Sequence, residues 1–198
     1  MLQMHSVCLN YGGKQVLQDQ DFSLPPGEHA ALLGPSGCGK TSFLSLAALL
    51  RQPDSGQVRR QKNAAMVFQE PRLLPWLTAE ENVNLVLADQ ASSLPEARRW
   101  LERVELLEEA AAYPAALSGG MCQRLALARA LAADCPLLLL DEPLKAMDVA
   151  LRQRILQVLQ EECRGKALLL ATHDEEEARA LDCCIFRYDG SRHIFREE

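Results

Sequence analysis

The sequence predicts an α/β fold with a mainly parallel central sheet, and three observations support this prediction. First, short β-type runs alternate with helical stretches along the 198 residues, which is typical of parallel strands joined by helices. Second, the runs at 136–141 (PLLLLD) and 167–172 (ALLLAT) are apolar almost throughout, as expected of central strands covered on both faces. Third, a glycine-rich stretch at 34–41 lies between one such run and a helical stretch.

The other strands follow the same pattern in chain order. Further β-type runs occur at 4–9, 29–33, 64–68 and 184–188. The final RYDGSRHIFREE resembles a β-hairpin. We therefore expect a mainly parallel sheet with an antiparallel hairpin near the end of the chain.

The middle third of the chain, residues 71–134, shows helix signals and no strand signal. Thr78 followed by Glu81 predicts a capping box at a helix start. The next helix is predicted from apolar residues at helical spacing behind a proline, namely Pro95, Trp100, Leu101, Val104 and Leu107. The sequence thus predicts one domain with a core of about 1–70 and 135–198 and an inserted helical subdomain of about 71–134.

Charge and hydropathy exclude several classes of protein. The formal net charge is −6 and the basic residues are scattered, so no basic stripe indicates a nucleic-acid partner. The longest apolar runs, such as LLLL at 137–140, are far shorter than the roughly 20 residues of a membrane-spanning helix. The start of the chain has no secretory leader pattern, so we expect synthesis to end in the cytosol.

The cysteines predict free thiols. They are odd in number and include no C-x-x-C pair, which argues against a disulfide framework and against a zinc site. Cys183 and Cys184 could bind a soft metal or form a redox pair, but packing in a strand is the favoured interpretation. The seven are Cys8, Cys38, Cys122, Cys135, Cys163, Cys183 and Cys184.

GPSGCGKT, residues 34–41, matches the phosphate-loop pattern G-x-x-x-x-G-K-[ST] between a strand and a helix, which predicts a P-loop NTPase. Its backbone N–H groups can close around phosphates, Lys40 can reach the β and γ phosphates, and the Thr41 hydroxyl can bind Mg²⁺. The predicted nucleotide-binding residues here are Gly34, Pro35, Ser36, Gly37, Cys38, Gly39, Lys40, Thr41 and Ser42.

An acidic pair follows the predicted strand LLLL. Carboxylates at this point lie at the carboxyl edge of a parallel sheet, where open α/β folds bind ligands. We predict that Asp141 holds Mg²⁺ through water and that Glu142 polarises the attacking water as a general base. The alternative is a solvent-facing acidic turn, which the neighbouring phosphate loop disfavours.

A second glycine-rich helix start occurs at LSGG, residues 117–120. Ser118 is a predicted N-cap, and an apolar-periodic helix follows with Met121, Leu125, Ala128 and Leu131. Such a helix start favours anions. The chain therefore has two predicted phosphate-binding segments.

With these motifs in this order, the sequence resembles the ATPase subunit of ABC transporters over essentially its whole length. The resemblance implies that Ser118, Gly119 and Gly120 complete the ATP site of a second subunit, so that two ATP molecules lie between two subunits packed head to tail. It implies a homodimer or pseudo-dimer that uses ATP and Mg²⁺. LSGGQ is the family's signature, and Met121 departs from it at the last position.

The resemblance also implies roles for four single residues. Tyr11 matches the aromatic residue that stacks on adenine, and His173 matches the switch histidine that contacts the γ phosphate. Gln69 matches the glutamine that contacts Mg²⁺, the attacking water and the membrane partner. Asp148 matches the loop aspartate that runs across the dimer interface.

The chain departs from the family pattern in two further places. Leu144 and Met147, with Lys145 between them, stand where the family more often has a small hydroxyl residue and a leucine. The span between Lys40 and Gln69 is shorter than is usual in the family, and it leaves only SGQVRRQKNAAMVF, residues 55–68, for the small antiparallel β region that the resemblance implies. Because the given sequence stops soon after its hairpin-like stretch, we expect none of the regulatory domain that some relatives append.

The function implied by the resemblance is Mg-dependent ATP hydrolysis that powers a separate integral membrane permease from the cytoplasmic face of the membrane. LLPW, residues 73–76, resembles importers of nitrate, sulfonates and taurine, in which this region faces the membrane subunit. A turn with a packed indole at Trp76 is an equal alternative. A solute-binding protein is an optional partner, and a soluble ABC ATPase or an exporter remains an alternative.

Overall fold

The computed structural model describes residues 2–60, 63–87 and 93–198, which divide into two compact units. The first unit comprises Met1–Met66, Pro136–Glu142 and Cys163–Glu198. The second comprises Val67–Cys135 and Pro143–Glu162.

A six-stranded sheet forms the centre of the first unit. Its inner strand pairs are parallel, and the last two strands form the antiparallel hairpin expected at the end of the chain. Two central strands are buried at every position, as their apolar runs predicted. In spatial order the strands are β5 (Ala64–Val67), β6 (Leu137–Asp141), β7 (Ala167–Thr172), β3 (His29–Leu33), β8 (Cys184–Asp189) and β9 (Ile194–Glu197).

The predicted antiparallel region is a three-stranded sheet that contains one strand the sequence did not reveal. The order is β2 (Lys14–Leu24), β1 (Leu2–Tyr11) and β4 (Ser55–Arg60). In β2 a polar residue, Gln20, occupies an inward position and is 2% exposed, which obscures the apolar alternation. Its amide binds the main chain of Phe195, accepting from N at 2.6 Å and donating to O at 3.0 Å. Gln20 thus connects β2 to β9.

The core of the first unit lies where helix α1 (Lys40–Ala47) packs against the sheets. Phe43 of α1 is fully buried, and its ring meets Phe22 and Phe195 edge-on at centroid distances of 5.1 and 5.5 Å. Edge-to-face pairs of this kind add stabilisation beyond the burial of apolar area. The helix that follows the phosphate loop is therefore held firmly.

The second unit is helical within its described residues. Thr78 caps the first helix through the predicted capping box with Glu81. The predicted apolar face of the next helix is correct for Leu101 and Val104 but wrong for Leu107, which is 41% exposed because the helix ends at Arg103. The helices are α2 (Ala79–Asn84), α3 (Ser93–Arg103), α4 (Gly119–Ala132) and α5 (Val149–Glu162); the short α6 (Glu175–Ala180) belongs to the first unit.

Helix α5 groups with the second unit, whereas the sequence had assigned residues 135–198 to the core. Ion pairs connect it to the end of α3: Arg103 contacts Glu161 at 2.7 Å and Glu162 at 2.8 Å. Arg154 of α5 pairs with Glu105. Such long-range pairs carry no local sequence signal, so periodicity alone did not reveal this grouping.

All seven cysteines lie in the described part of the chain, and none of them is in a disulfide. Cys184 begins strand β8, as predicted, but its side chain is exposed rather than packed, and its Sγ lies 3.1 Å from Glu197 Oε1. Among the helices of the described residues, none is both long and apolar enough to cross a bilayer.

Candidate functional site

Three neighbouring strands of the parallel sheet end at one edge and bring the predicted catalytic groups together. In β3 and β7, Leu33 is opposite Thr172, and in β6 and β7, Asp141 is opposite Ala171. The residues that follow these strand ends are the phosphate loop, Glu142 and His173. This edge is where open α/β sheets bind ligands.

The phosphate loop packs so tightly that its first glycine cannot carry a side chain. A Cβ at Gly34 would lie 2.7 Å from Cys38 Sγ and 2.9 Å from Tyr188 Cβ. Gly39, in the left-handed conformation at φ 109°, begins helix α1 without a side-chain cap. The backbone N–H groups of the first turn of α1 are thus available to a bound phosphate.

Lys40 lies across the phosphate loop. The residue is only 6% exposed, and its Nζ donates to the carbonyl oxygens of Gly34 at 2.7 Å and Pro35 at 3.2 Å. These neutral acceptors satisfy the buried ammonium group. A phosphate oxygen would be a stronger, charge-assisted acceptor, so bound nucleotide can take their place.

The thiol of Cys38 is shielded within the loop. It is 7% exposed, and burial raises its pKa above the usual value of 9.0, an effect that the nearby Lys40 partly opposes. Because the thiolate is the reactive form, a raised pKa lowers the reactive fraction at neutral pH.

We therefore expect alkylation of Cys38 by iodoacetamide to be slow at pH 7 and to rise about tenfold per pH unit, without levelling off, up to pH 9. Nucleotide bound in the loop should slow it further. The measurement is mass spectrometry of the peptide that carries Cys38, with urea-unfolded protein as the control. A plateau well below pH 9 in the folded protein would contradict the shielding.

Glu142 and His173 approach each other at the sheet edge. His173 Nδ1 lies 3.7 Å from Glu142 Oε1, and the side chains are 70% and 11% exposed, respectively. Glu142 has a left-handed backbone with φ 47°, a conformation that costs a side-chain-bearing residue about 1–2 kcal/mol, and its N–H donates to Ala171 O at 2.9 Å. This turn carries a shielded carboxylate beside an exposed imidazole.

The oxygen donors at this edge fit Mg²⁺. Asp141 is buried at the end of β6, and Thr41 lies on the first turn of α1, which packs against β6. Within the described residues, no group of three or more His, Cys, Asp or Glu could hold a metal alone. Magnesium at nucleotide sites is usually held by one or two carboxylates with phosphates and waters, so this sparse set of hard oxygen donors suits an ion that enters with nucleotide.

Tyr11 ends β1 and is 45% exposed. The guanidinium of Arg51 lies over its ring, 3.8 Å from the centroid, and donates to Asn10 O at 3.5 Å. Arg51 was not among the predicted site residues, because a single arginine after a helix matches no motif. Only the close approach of two segments distant in sequence reveals it.

In the second unit, the LSGG segment begins helix α4 as predicted. Ser118 Oγ accepts a hydrogen bond from the N–H of Met121 at 3.3 Å, which confirms the N-cap. A Cβ at Gly120 would lie 3.2 Å from Ala146 O, so this helix start packs closely against the loop of residues 143–148. Gly119 has open space around its Cα.

The unusual residues of the 143–148 loop face inward. Leu144 is 1% exposed and Met147 is 6% exposed, whereas Lys145 is exposed. Asp148 caps α5, because its Oδ1 accepts from Leu151 N at 2.9 Å. The two apolar departures from the family pattern, Leu144 and Met147, are therefore buried side chains.

Gln69 follows β5 and is exposed, in the same unit as the LLPW turn. Leu77 N donates to Leu74 O at 3.2 Å, which closes the predicted turn. The indole of Trp76 is 69% exposed, so the alternative of a packed indole is wrong. The turn presents an apolar ring to its surroundings.

The side chains of Asn82 and Arg129 bond the backbone of this turn and of the residue before it. Asn82 is fully buried; its Oδ1 accepts from Leu74 N at 2.9 Å, and its Nδ2 donates to the carbonyls of Leu74, Leu77 and Thr78. Arg129 of α4 donates to Arg72 O at 2.9 Å. The turn is thus a fixed structure.

Replacing Asn82 with alanine should lower the free energy of unfolding by about 2–4 kcal/mol, because it leaves several buried backbone groups without partners. The change is measured by urea denaturation. The matched control is Asn84→Ala in the same helix: Asn84 Oδ1 is buried and has no hydrogen-bond partner among the described residues, so its loss should cost less than about 1 kcal/mol. Equal losses for the two variants would contradict the role of Asn82.

Comparison with known proteins is consistent with this arrangement. The chain matches the ABC transporter family over residues 17–145. It is 46% identical over 178 residues to the aliphatic sulfonates import ATP-binding protein SsuB 1 of Pseudomonas savastanoi pv. phaseolicola, covering 86% of this chain and 73% of that protein. It is 43% identical over 188 residues to SsuB of Zymomonas mobilis subsp. mobilis, covering 89% and 77%.

Among solved structures, the dimeric post-hydrolysis state of the ATP-binding cassette MJ0796 with ADP and Pi is similar, with a TM-score of 0.90 and 29% identity over 100% of this chain and 98% of that one. The fold is therefore that of an ATPase cassette, as the resemblance to ABC transporter ATPases implied; the alternation of strands and helices had predicted its mainly parallel sheet. Because the family match extends over more than half of the chain and the relatives align over most of their own length, the chain belongs to the ABC transporter family.

Proposed function

We propose that this chain is the ATP-hydrolysing subunit of an importer, which powers a separate membrane permease. The observation that carries the hydrolytic part is the meeting of three strand ends, where the phosphate loop, Glu142 and His173 share one sheet edge. A shielded carboxylate beside a phosphate-binding loop suits a general base for water.

The family resemblance and the contacts of the side chains support a role for each residue of the nucleotide site. Lys40 binds the β and γ phosphates once they replace its backbone acceptors, and the N–H groups that begin α1 hold the phosphates in position. Glu142 orients the attacking water and accepts its proton. His173, largely exposed, contacts the γ phosphate. Tyr11 stacks on adenine.

Magnesium, when bound with ATP, would neutralise developing charge on the phosphates. Thr41 and Asp141 are the residues we propose to hold it, Asp141 through water, with Gln69 as a further oxygen ligand. The Thr41 hydroxyl and the Asp141 carboxylate are hard donors that fit its coordination.

A second subunit would complete the site. We propose that Ser118, Gly119 and Gly120 bind the γ phosphate of the partner's nucleotide at the start of α4, and that Asp148 lies at the interface. The capped helix start supports this, because the N–H groups of a first helical turn have no partners within the helix and favour anions. The dimeric state named for the similar MJ0796 cassette supports two subunits.

The permease contact is proposed at the LLPW turn, residues 73–76. The exposed Trp76 offers a large apolar surface, and Asn82 holds the turn rigidly. The relatives named as aliphatic sulfonate import proteins support a small sulfonate as the transported solute. A solute-binding protein would deliver that solute on the far side, while this subunit acts at the cytoplasmic face of the membrane.

The proposal is tested by isolating tagged Glu142→Gln protein with MgATP from its native membranes and identifying its partners by mass spectrometry. We expect an integral membrane permease to accompany it. Trp76→Ala in the same background should reduce permease recovery at least tenfold while retaining ATP binding. Tyr113→Ala is the matched control, because Tyr113 is also an exposed aromatic residue of the second unit, at 52% exposure.

Recovery of a soluble dimer alone, in a preparation where another transporter retains its permease, would contradict the transporter function and favour a soluble ATPase. Transport is then measured with the isolated complex in vesicles, as ATP-dependent uptake of a radiolabelled alkanesulfonate. Export in place of uptake would contradict the proposed direction.

A further inference from the structure

Glu177 is a buried carboxyl group that no motif of the nucleotide site assigns. It lies on α6, just after His173, and is 5% exposed. Burying a carboxyl group costs free energy unless hydrogen bonds compensate for it. The hydrogen bonds of the Glu177 carboxyl therefore indicate its role.

One hydrogen-bond partner of Glu177 is the hydroxyl of Thr172, the last residue of β7. Thr172 Oγ1 donates to Glu177 Oε2 at 2.6 Å in a site where Thr172 is only 1% exposed. Thr172 Oγ1 also accepts a hydrogen bond from the backbone N–H of Asp174 at 3.1 Å. A hydroxyl has one donor and two acceptor positions, so donation to Glu177 directs its lone pairs away from the carboxyl and toward Asp174.

His173 lies in the chain between Thr172 and Asp174, which are joined by the hydrogen bond just described. Its side chain is 70% exposed, so packing around the ring does little to fix its direction, and the backbone on either side must do so. The turn is held on its far side as well, because Asp174 Oδ1 accepts from Glu176 N at 2.9 Å. The imidazole consequently lies 3.7 Å from the Glu142 carboxylate.

We propose that Glu177 is a positioning residue, which acts through the Thr172 hydroxyl to hold the backbone around His173 so that the imidazole faces Glu142 and the phosphate-loop edge. This inference rests on the proposed function of His173. A buried carboxyl group that matches no nucleotide-binding motif would thus contribute to hydrolysis through His173.

The first test measures kcat and KM for ATP in full-length variants. Thr172→Val removes the hydroxyl at nearly constant shape and should lower kcat about tenfold to a hundredfold, with KM changed less than about threefold, because small displacements of catalytic groups have effects of this size. Thr172→Ser, which retains the hydroxyl, should keep kcat within about threefold. Glu177→Ala should resemble Thr172→Val, and Glu176→Ala, an exposed neighbour on α6, should be silent.

The second test does not depend on turnover. The imidazole proton resonances of His173, assigned by their absence in His173→Ala, should shift in Thr172→Val and Glu177→Gln, whereas those of His5 and His193 should not. Thermal unfolding of each variant identifies any global loss of structure. The Thr172→Ser variant keeps the test informative if Glu177→Ala fails to fold.

The outcomes separate this inference from the function on which it rests. Parental kcat and an unshifted His173 signal in folded Thr172→Val would overturn the positioning role alone. Loss of activity in Thr172→Val that adds fully to the loss in His173→Ala would also overturn it, because residues acting through one another are not additive. Parental activity in His173→Ala would overturn both the proposed role of the histidine and this inference.

Discussion

Replacing Glu142 with glutamine is expected to lower the rate of ATP hydrolysis by about 10²–10⁴-fold, the usual contribution of a general base. The variant keeps the shape of the side chain and its backbone bond to Ala171 but loses the proton acceptor. ATP binding should persist, because the phosphate loop is unchanged. Hydrolysis is measured as phosphate release, and assembly by size-exclusion chromatography with light scattering.

An ATP-bound dimer should accumulate in Glu142→Gln, since the step that reopens it is blocked. Glu176→Gln is the control, because Glu176 is an exposed carboxylate near the same edge and should leave the rate unchanged. Hydrolysis by Glu142→Gln at the parental rate would refute the assignment of the base. A dimer in the absence of nucleotide would refute the link between ATP and assembly.

Replacing Lys40 with alanine is expected to lower kcat/KM for ATP by about 10²–10³-fold, the cost of losing one preorganised charged donor at a site of developing negative charge. Lys40 is the buried ammonium group at the loop, already directed at Gly34 and Pro35. Unlike Glu142→Gln, this variant should also lose nucleotide affinity, which isothermal calorimetry measures directly.

Lys166→Ala is the charge-matched control. Lys166 directly precedes β7, at the end of that strand farther from His173 and the nucleotide site. It should keep both affinity and rate. If Lys40→Ala binds ATP as the parent does, the lysine does not contact phosphate and the proposed orientation of the nucleotide fails. A lowered melting temperature together with lost binding would instead indicate a damaged fold, so both are measured on the same samples.

Local signals were sufficient for helix caps and for strands buried on both faces. The capping box of Thr78 and Glu81 and the N-cap at Ser118 each depend on a contact over three residues, and both predictions are correct. Strands β6 and β7 are buried on both faces, so their apolar runs identified them. Strand β2 escaped prediction because buried Gln20 interrupts its alternation.

In the nucleotide site, too, some features were predicted from sequence motifs and others are seen only in the folded structure. The motif at 34–41 predicted a phosphate loop, and the structure adds that Lys40 is held across it and that Tyr188 closes it on one side. Arg51 over Tyr11 could not be predicted, because the two segments are distant in sequence and meet only in the folded chain. The bond from Thr172 to Glu177 joins residues close in sequence, but no capping or periodicity pattern links the end of a strand to the helix that follows it. The exposed state of Trp76 likewise required the folded turn.

The sequence by itself determined the fold class, the phosphate loop, the acidic pair after β6 and the capped start of α4, because each is a short pattern with a local physical cause. Only the tertiary structure decided that Glu142 and His173 approach within 3.7 Å, since parallel pairing in register brings the ends of β6 and β7 together. It also decided that α5 joins the helical unit through the ion pairs of Arg103. Contacts between distant segments arise from packing, and no local pattern in the chain specifies them.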